Sequence, residues 1–382
     1  MSSLVDLPAE LVLQILSFLT ERQPHSIKNL HGEPSETLLQ SEYQPVKNLS
    51  LTCRRLRTLC LQTLFTNVKL TSTSLGLSVF REQFISFFQD HDLVRGIESV
   101  LFYQVASDNR DNEHEYRKVP LCTIEWQILW TISQLNPPAI TIMLHPSSFQ
   151  ELMPYDLRES DDWAFQIPYQ VLHLSQATDT PSACVPVDKS QDKNILNILP
   201  WSHCTFNEGS SIRAYSTYQY FQKHVPSIFT PINEQKMRDG VRRTLPYLTS
   251  IDYIAIFPFP ARHMQHFCSF LKVAAPSLRH LRTRFSPTRG NGALDDKETL
   301  GTCERTDLWS ELETCYTFLG LSLRLGILDS LDDLTVLDYD NPELRDAIYR
   351  ALAFEMCADW AHDGNGKWVV LTGKDWSAPR AI

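Results

Sequence analysis

Two stretches, DLPAELVLQILSFL at residues 6–19 and VKNLSLTCRRLRTLCLQTLFTNVKL at residues 46–70, decide how the amino end of this chain folds. Pro8 suits the first position of a helix, where its missing N–H would have no partner anyway. Leu11, Val12, Ile15, Leu16 and Leu19 then fall on one apolar stripe. In the second stretch Val46, Leu49, Cys53, Leu56, Leu59 and Leu64 keep helical spacing, while Arg54, Arg55 and Arg57 fall mostly on the other side. The pattern predicts two or three short helices that cannot build a core alone.

The order of these residues resembles the F-box family. The family's Leu-Pro-x-Glu-Leu opening is met by Leu7, Pro8, Glu10 and Leu11, its Ile-Leu-x-x-Leu by Ile15, Leu16 and Leu19, and its Cys-Arg-Arg centre by Cys53, Arg54 and Arg55. Leu64 and Phe65 stand for the closing Leu-Trp pair, Thr52 replaces the usual Val, and Leu56 replaces a common Trp. Residues 20–45 form an insertion where the family has a short connection; loop closure grows costly only slowly with length, so the bundle tolerates it, although it can crowd a partner surface. The resemblance implies that residues 1–70 dock on a Skp-family adaptor and, through it, a cullin. Leu7, Pro8, Leu11, Val12, Ile15, Leu16, Leu19, Leu49, Cys53, Leu56 and Leu64 are the adaptor-binding residues it implies. The plain alternative is an amphipathic hairpin packed on the chain's own core.

At 382 residues the chain can hold a small module and a larger domain. Its 43% hydrophobic and 21% charged residues are ordinary for a globular protein. A formal charge of −10 argues against a phosphate backbone as partner, so no nucleic acid is expected. Nine cysteines without paired short spacings suit a reducing compartment. The first residues lack a basic secretory start and no apolar run reaches the length of a span, so a cytoplasmic or nuclear protein with no membrane partner is expected.

Residues 71–96 read as a linking helix, with Leu77, Phe80, Phe84, Phe87 and Phe88 forming an aromatic stripe that packs the N-terminal unit onto the C-terminal part of the chain. From residue 97 to 382 a spacing of apolar-x-x-apolar-x-apolar recurs. It is found at Ile97, Val100, Phe102; at Pro137, Ile140, Ile142; at Tyr169, Leu172, Leu174; and at Trp201, Cys204, Phe206. It returns at Ile251, Ile254, Ile256, at Leu278, Leu281, Thr283, and at Leu331, Leu334, Val336. Helical faces lie between: Ile124, Ile128, Ile132, Leu135; Met264, Phe267, Cys268, Leu271; and Leu344, Ile348, Leu352, the last with Asn341 as cap and Gly364 as stop. Polar loops are expected at residues 104–117, 176–193 and 286–306.

Such alternation resembles the leucine-rich repeat, with Asn207 and Asn341 nearest to its Asn position. The expected fold class is α/β: an N-terminal three-helix F-box followed by an irregular leucine-rich-repeat-like β/α solenoid. An irregular domain without true repeats is the alternative. If the strands present Asp252, Arg279, Arg282, Asp332 and Asp338 on a concave face, these contact a partner.

His263, His266 and Cys268, with His280 further on, are the most metal-like group, but Cys268 points away from His263 on a helix. His203 and Cys204 alternate faces of a strand and cannot readily meet. The run at residues 363–367, DGNGK, opens like a calcium loop, yet Lys374 holds the place of its bidentate Glu, so a turn is expected. Neither a phosphate loop nor a nucleophile elbow is present. The reading is therefore a non-catalytic recognition subunit without cofactor or metal, binding an adaptor and a protein substrate. Its rivals are a scaffold holding the adaptor outside a ligase, and an enzyme in the C-terminal part that depends on His203 or His263.

Overall fold

The computed structural model describes residues 7–19, 30–35, 38, 44–71, 78–104, 122–177, 194–231, 244–258, 262–288, 294, 297–301, 303–356 and 359–371. Near the start of the chain the described residues include the helices α1 (Ala9–Leu19), α2 (Gln44–Ser50) and α3 (Arg54–Leu64). Pro8 sits one residue ahead of α1, and its carbonyl accepts from Val12 N–H at 3.2 Å. Val12, Leu16, Val46, Leu56 and Cys60 form the shared core. Burial of such side chains contributes roughly 1.5–3 kcal/mol each, while ordering backbone costs about 1–2 kcal/mol per residue. The bundle depends on its attachments.

One attachment is aromatic. Phe65, just past α3, meets Phe87 at 5.3 Å and Phe88 at 5.2 Å between ring centroids, both on α4 (Ser78–Asp90). Of the stripe expected there, Leu77 and the side chain of Phe80 lie outside the described part. A second attachment is covalent and hydrogen-bonded: β1 (Asn67–Thr71) pairs in parallel with β2 (Ser99–Tyr103). The sheet thus begins inside the stretch read as helical, well before residue 97.

Among the described residues ten strands form one sheet in the order β1-β2-β3-β4-β5-β6-β7-β8-β10-β9. The rest are β3 (Ala139–Leu144), β4 (Gln170–Ser175), β5 (His203–Ser210), β6 (Ser250–Ile256), β7 (His280–Arg284), β8 (Asp333–Val336), β9 (Trp360–His362) and β10 (Lys367–Val370). Val100, Ile140, Leu174, Cys204, Ile251, Leu281 and Leu334 stand opposite one another in one row. Phe102, Ile142, Leu172, Phe206, Tyr253, Thr283 and Val336 make the next row on the same face. Onto it pack α5 (Cys122–Leu135), α6 (Arg262–Ala274), α7 (Arg305–Arg324) and α8 (Pro342–Met356), giving one continuous core. Tyr253 stacks on Phe267 of α6 at 3.9 Å. Gly320 lets α7 lie close on α8, since a Cβ there would come within 2.9 Å of Glu355 Cβ.

Several expectations change. The uniform turns of a leucine-rich-repeat-like solenoid are not what is found: β4 runs antiparallel to β3 and to β5, and a hairpin of β9 and β10 closes the sheet antiparallel to β8. The spacing reads alternation of faces and carries no direction, so β4 shows it while running backwards. In β6 the core pair is Ile251 and Tyr253, led by the buried Leu248, not Ile254 and Ile256. Gly364 does not end α8, which stops at Met356; it lies in the β9–β10 turn at φ 85°, where Asp363 Oδ1 accepts from Asn365 N–H at 2.7 Å and Lys367 N–H at 3.0 Å. Asn341 does cap α8, through Glu343 N–H to its Oδ1 at 3.1 Å.

Most of the loops expected at 104–117 and 176–193 lies outside the described residues, whereas 286–306 contains the helix Lys297–Leu300 and the start of α7. No helix among the described residues is long and apolar enough to cross a membrane.

Candidate partner-binding surface

The apolar stripe of α1 divides in two. Val12 and Leu16 turn inward, and with Leu56 of α3 they fill the bundle; they do not line a surface in the free chain. Leu11, Ile15 and Phe18, at spacings of four and three, share an adjacent face and stay 46%, 36% and 63% exposed. Leu13 and Leu19 are exposed as well, and Leu51, in the turn between α2 and α3, is 80% exposed. Pro8 is exposed, and Leu7, Leu49, Cys53 and Leu64 are half-buried against the bundle core.

Arg55 closes the arrangement by donating to the carbonyl of Leu7 at 2.6 Å, which ties the Cys-Arg-Arg segment to the start of α1. Cys53 precedes α3 in extended backbone and Cys60 is interior; burial, then the neighbouring Cys53, raises the Cys60 thiol. These cysteines therefore work as packing groups.

A small bundle whose interior is satisfied by one half of the stripe has no internal use for the other half. The F-box-like family model matches residues 4–71. Those residues are an F-box-like domain. No curated protein and no solved structure matches the chain.

The insertion in the F-box-like domain has an unexpected seat. The face of the sheet opposite the helices carries Leu101, Met143 and Val171, and Leu30 is buried among them with Tyr169. Asn207 of β5 donates from Nδ2 to the carbonyls of Leu30 at 2.7 Å and Gly32 at 2.6 Å. His31 Nε2 lies 2.8 Å from Oδ2 of Asp252 on β6, which is fully buried, and Arg282 Nε stands 3.3 Å from the other oxygen. The described insertion is thus a strap across the middle of the sheet. The concave-face set expected from sequence does not form one surface: Asp252 and Arg282 meet at 3.3 Å with Asp252 under the strap, Arg279 and Asp332 pair at 3.6 Å at an exposed edge, and Asp338 is interior. Asp338 accepts from Tyr316 Oη at 2.5 Å, Phe285 N–H at 2.6 Å and Ser286 Oγ at 2.6 Å.

His203 lies beside this seat. Burial holds its imidazole below the ordinary 6.5; Asp252, 3.9 Å away, pulls the other way, and Arg282 and His31 add to the lowering. Since the unfolded ring protonates at its ordinary value while the folded one resists, its contribution to stability is present above pH 6.5 and lost as pH falls. His203→Gln is expected to reduce the drop in urea midpoint between neutral pH and about pH 5.

The residues weighed for metal or nucleophilic chemistry are dispersed. Cys204 and Cys268 are buried, and burial pushes both thiols up, Cys268 to about 12. His280 pairs with Asp333 at 2.8 Å on the open face of the sheet. His263 belongs to a buried network that sequence reasoning missed: its Nε2 is 2.8 Å from Glu208 Oε2, Tyr253 Oη donates to the same oxygen at 2.9 Å, and Ser227 Oγ donates to Oε1. Glu208, Ser227, Tyr253 and His263 are all under 5% exposed. In the strand sequence HCTFNEGS, Glu208 stands among Asn207, Gly209 and Ser210, so no local signal marked it as interior.

Proposed function

We propose that this chain is the substrate-recognition subunit of a cullin-type ubiquitin ligase. The F-box-like domain holds a Skp-family adaptor, and the ten-stranded part, in the role that leucine-rich-repeat-like arrays fill, holds a protein substrate. The observation that carries the reading is the unpaired ridge of Leu11, Ile15 and Phe18 on a domain of a family whose members generally bind such adaptors. Val12, Leu16 and Leu56 then shape the ridge from inside, and Leu7, Pro8, Leu19, Leu49, Cys53 and Leu64 flank it. In this role the chain needs no catalytic group, cofactor or metal, because ubiquitin transfer belongs to other subunits, and it works in the cytoplasm or nucleus.

Affinity purification of the full chain from cells, with partners identified by mass spectrometry, tests the reading. Adaptor and cullin are expected together; adaptor without cullin indicates a scaffold outside a ligase, and neither protein overturns the proposal.

A further inference from the structure

A second solvent-facing apolar group lies where the chain leaves β5. The 3₁₀ turns Ile212–Ser216 and Tyr220–Gln222 meet the short helix Asp162–Phe165 there. Trp163, Tyr218 and Phe221 are 64%, 87% and 56% exposed. The turn between them is built, not loose: Gln219 is held at φ 53°, and Gln222 N–H and Lys223 N–H donate to the carbonyls of Gln219 and Tyr220, each at 2.9 Å. Rigid aromatic rings left in water are the residue types that anchor protein interfaces.

The surroundings select the charge of a partner. Residues 156–163, DLRESDDW, carry four carboxylates and one Arg. From the other side Glu311 and Asp307 of α7 help raise the Tyr220 phenol to about 12, after burial and Cys303. The chain supplies its own example of what the surface takes: Lys223 Nζ stands 4.4 Å from the centre of the Trp163 ring and 3.6 Å from Asp161 Oδ1. An ammonium there gains the ring quadrupole and a carboxylate at once. Phosphate-bearing partners meet the same carboxylates as repulsion.

We propose that this rim docks a lysine- and arginine-rich segment of a partner protein, whose cations take the Trp163 face and Asp161 carboxylate that Lys223 holds in the free chain. The inference deepens the substrate-recognition reading and rests on it for calling that partner a substrate.

The test uses the full chain and fluorescence anisotropy with three labelled peptides of equal length, built from Lys-Arg-Gly-Ser, Glu-Gly-Ser or Gly-Ser repeats. The basic peptide is expected to bind, and to weaken with added salt. Trp163→Ala and Phe221→Ala are each expected to weaken it about tenfold, and Lys223→Ala to tighten it a few-fold by removing the internal competitor. Equal binding of the acidic or neutral peptide, indifference to all three substitutions, or self-association of the chain that Trp163→Ala abolishes overturns the proposal. Adaptor capture is measured on the same variants. Peptide binding as expected without adaptor capture sinks the ligase reading and leaves the rim; the reverse sinks the rim alone.

Discussion

Leu11→Asp and Ile15→Asp are each expected to abolish adaptor capture by the full chain while its far-ultraviolet circular dichroism and thermal midpoint stay near those of the parent. Both side chains are partly exposed in the free protein, at 46% and 36%, so a charge there is solvated until a partner arrives. Docking then strips its water, which costs several kcal/mol when nothing pairs with the carboxylate. A loss of about 4 kcal/mol is nearly a thousandfold in Kd, below the range of a pull-down. Val12→Asp, with Val12 only 1% exposed, serves as the contrast: it must lose the adaptor by breaking the bundle, with a visible fall in stability. Capture retained by both surface variants removes the ridge from the interface, and with it the assignment of α1 as the docking helix.

The second large effect concerns the interior. Glu208→Leu leaves the ring of His263 and the hydroxyls of Tyr253 and Ser227 without their shared acceptor, in a region where each is under 5% exposed. Breaking a buried network from one side costs about 3–5 kcal/mol, read as a lower denaturant midpoint. His263→Leu is expected to cost less, because Tyr253 and Ser227 still serve the carboxylate, and the double variant to cost less than the sum of the two. This separates a structural histidine from a catalytic one. An activity lost on His263 replacement at unchanged stability would instead favour an enzyme in the C-terminal part, as would the same outcome for His203.

Much of this was legible in the sequence where side-chain type and spacing act locally. The Leu-Pro-x-Glu-Leu opening and the Cys-Arg-Arg segment lead into α1 and α3, and the helical faces at Ile128, Met264 and Leu344 stand in the structure as helices with those faces inward. The strand spacing found β2, β3, β4, β5, β7 and β8 in phase. It failed in β6 because Ile254 and Ile256 make the strap-side face apolar there, and Asp252, the polar residue of that face, is itself buried. Helix α7 went unread because Cys315, Tyr316, Gly320 and Ser322 dilute its buried stripe. The division of the α1 stripe into an inner and an outer half depends on where α2 and α3 lie. The strap was invisible: His31 and Asp252 are 221 residues apart, and neither residue's neighbours announce the other.

That separation sets an order of events on the ribosome. Segments that fold as they emerge finish in the order they are made, but residues 30–32 receive their last partners only when Asn207 and Asp252 have been synthesised. At about 5–20 residues per second, 221 residues take about 10–45 s. During this interval a nascent chain already displays α1 while the loop behind it is unanchored. A product cut short before β5 keeps the displayed helix and lacks both polar anchors, Asn207 and Asp252. The amino-terminal unit is thus finished by material from the far side of the polypeptide, and a truncated chain is marked by a loop that never finds its seat.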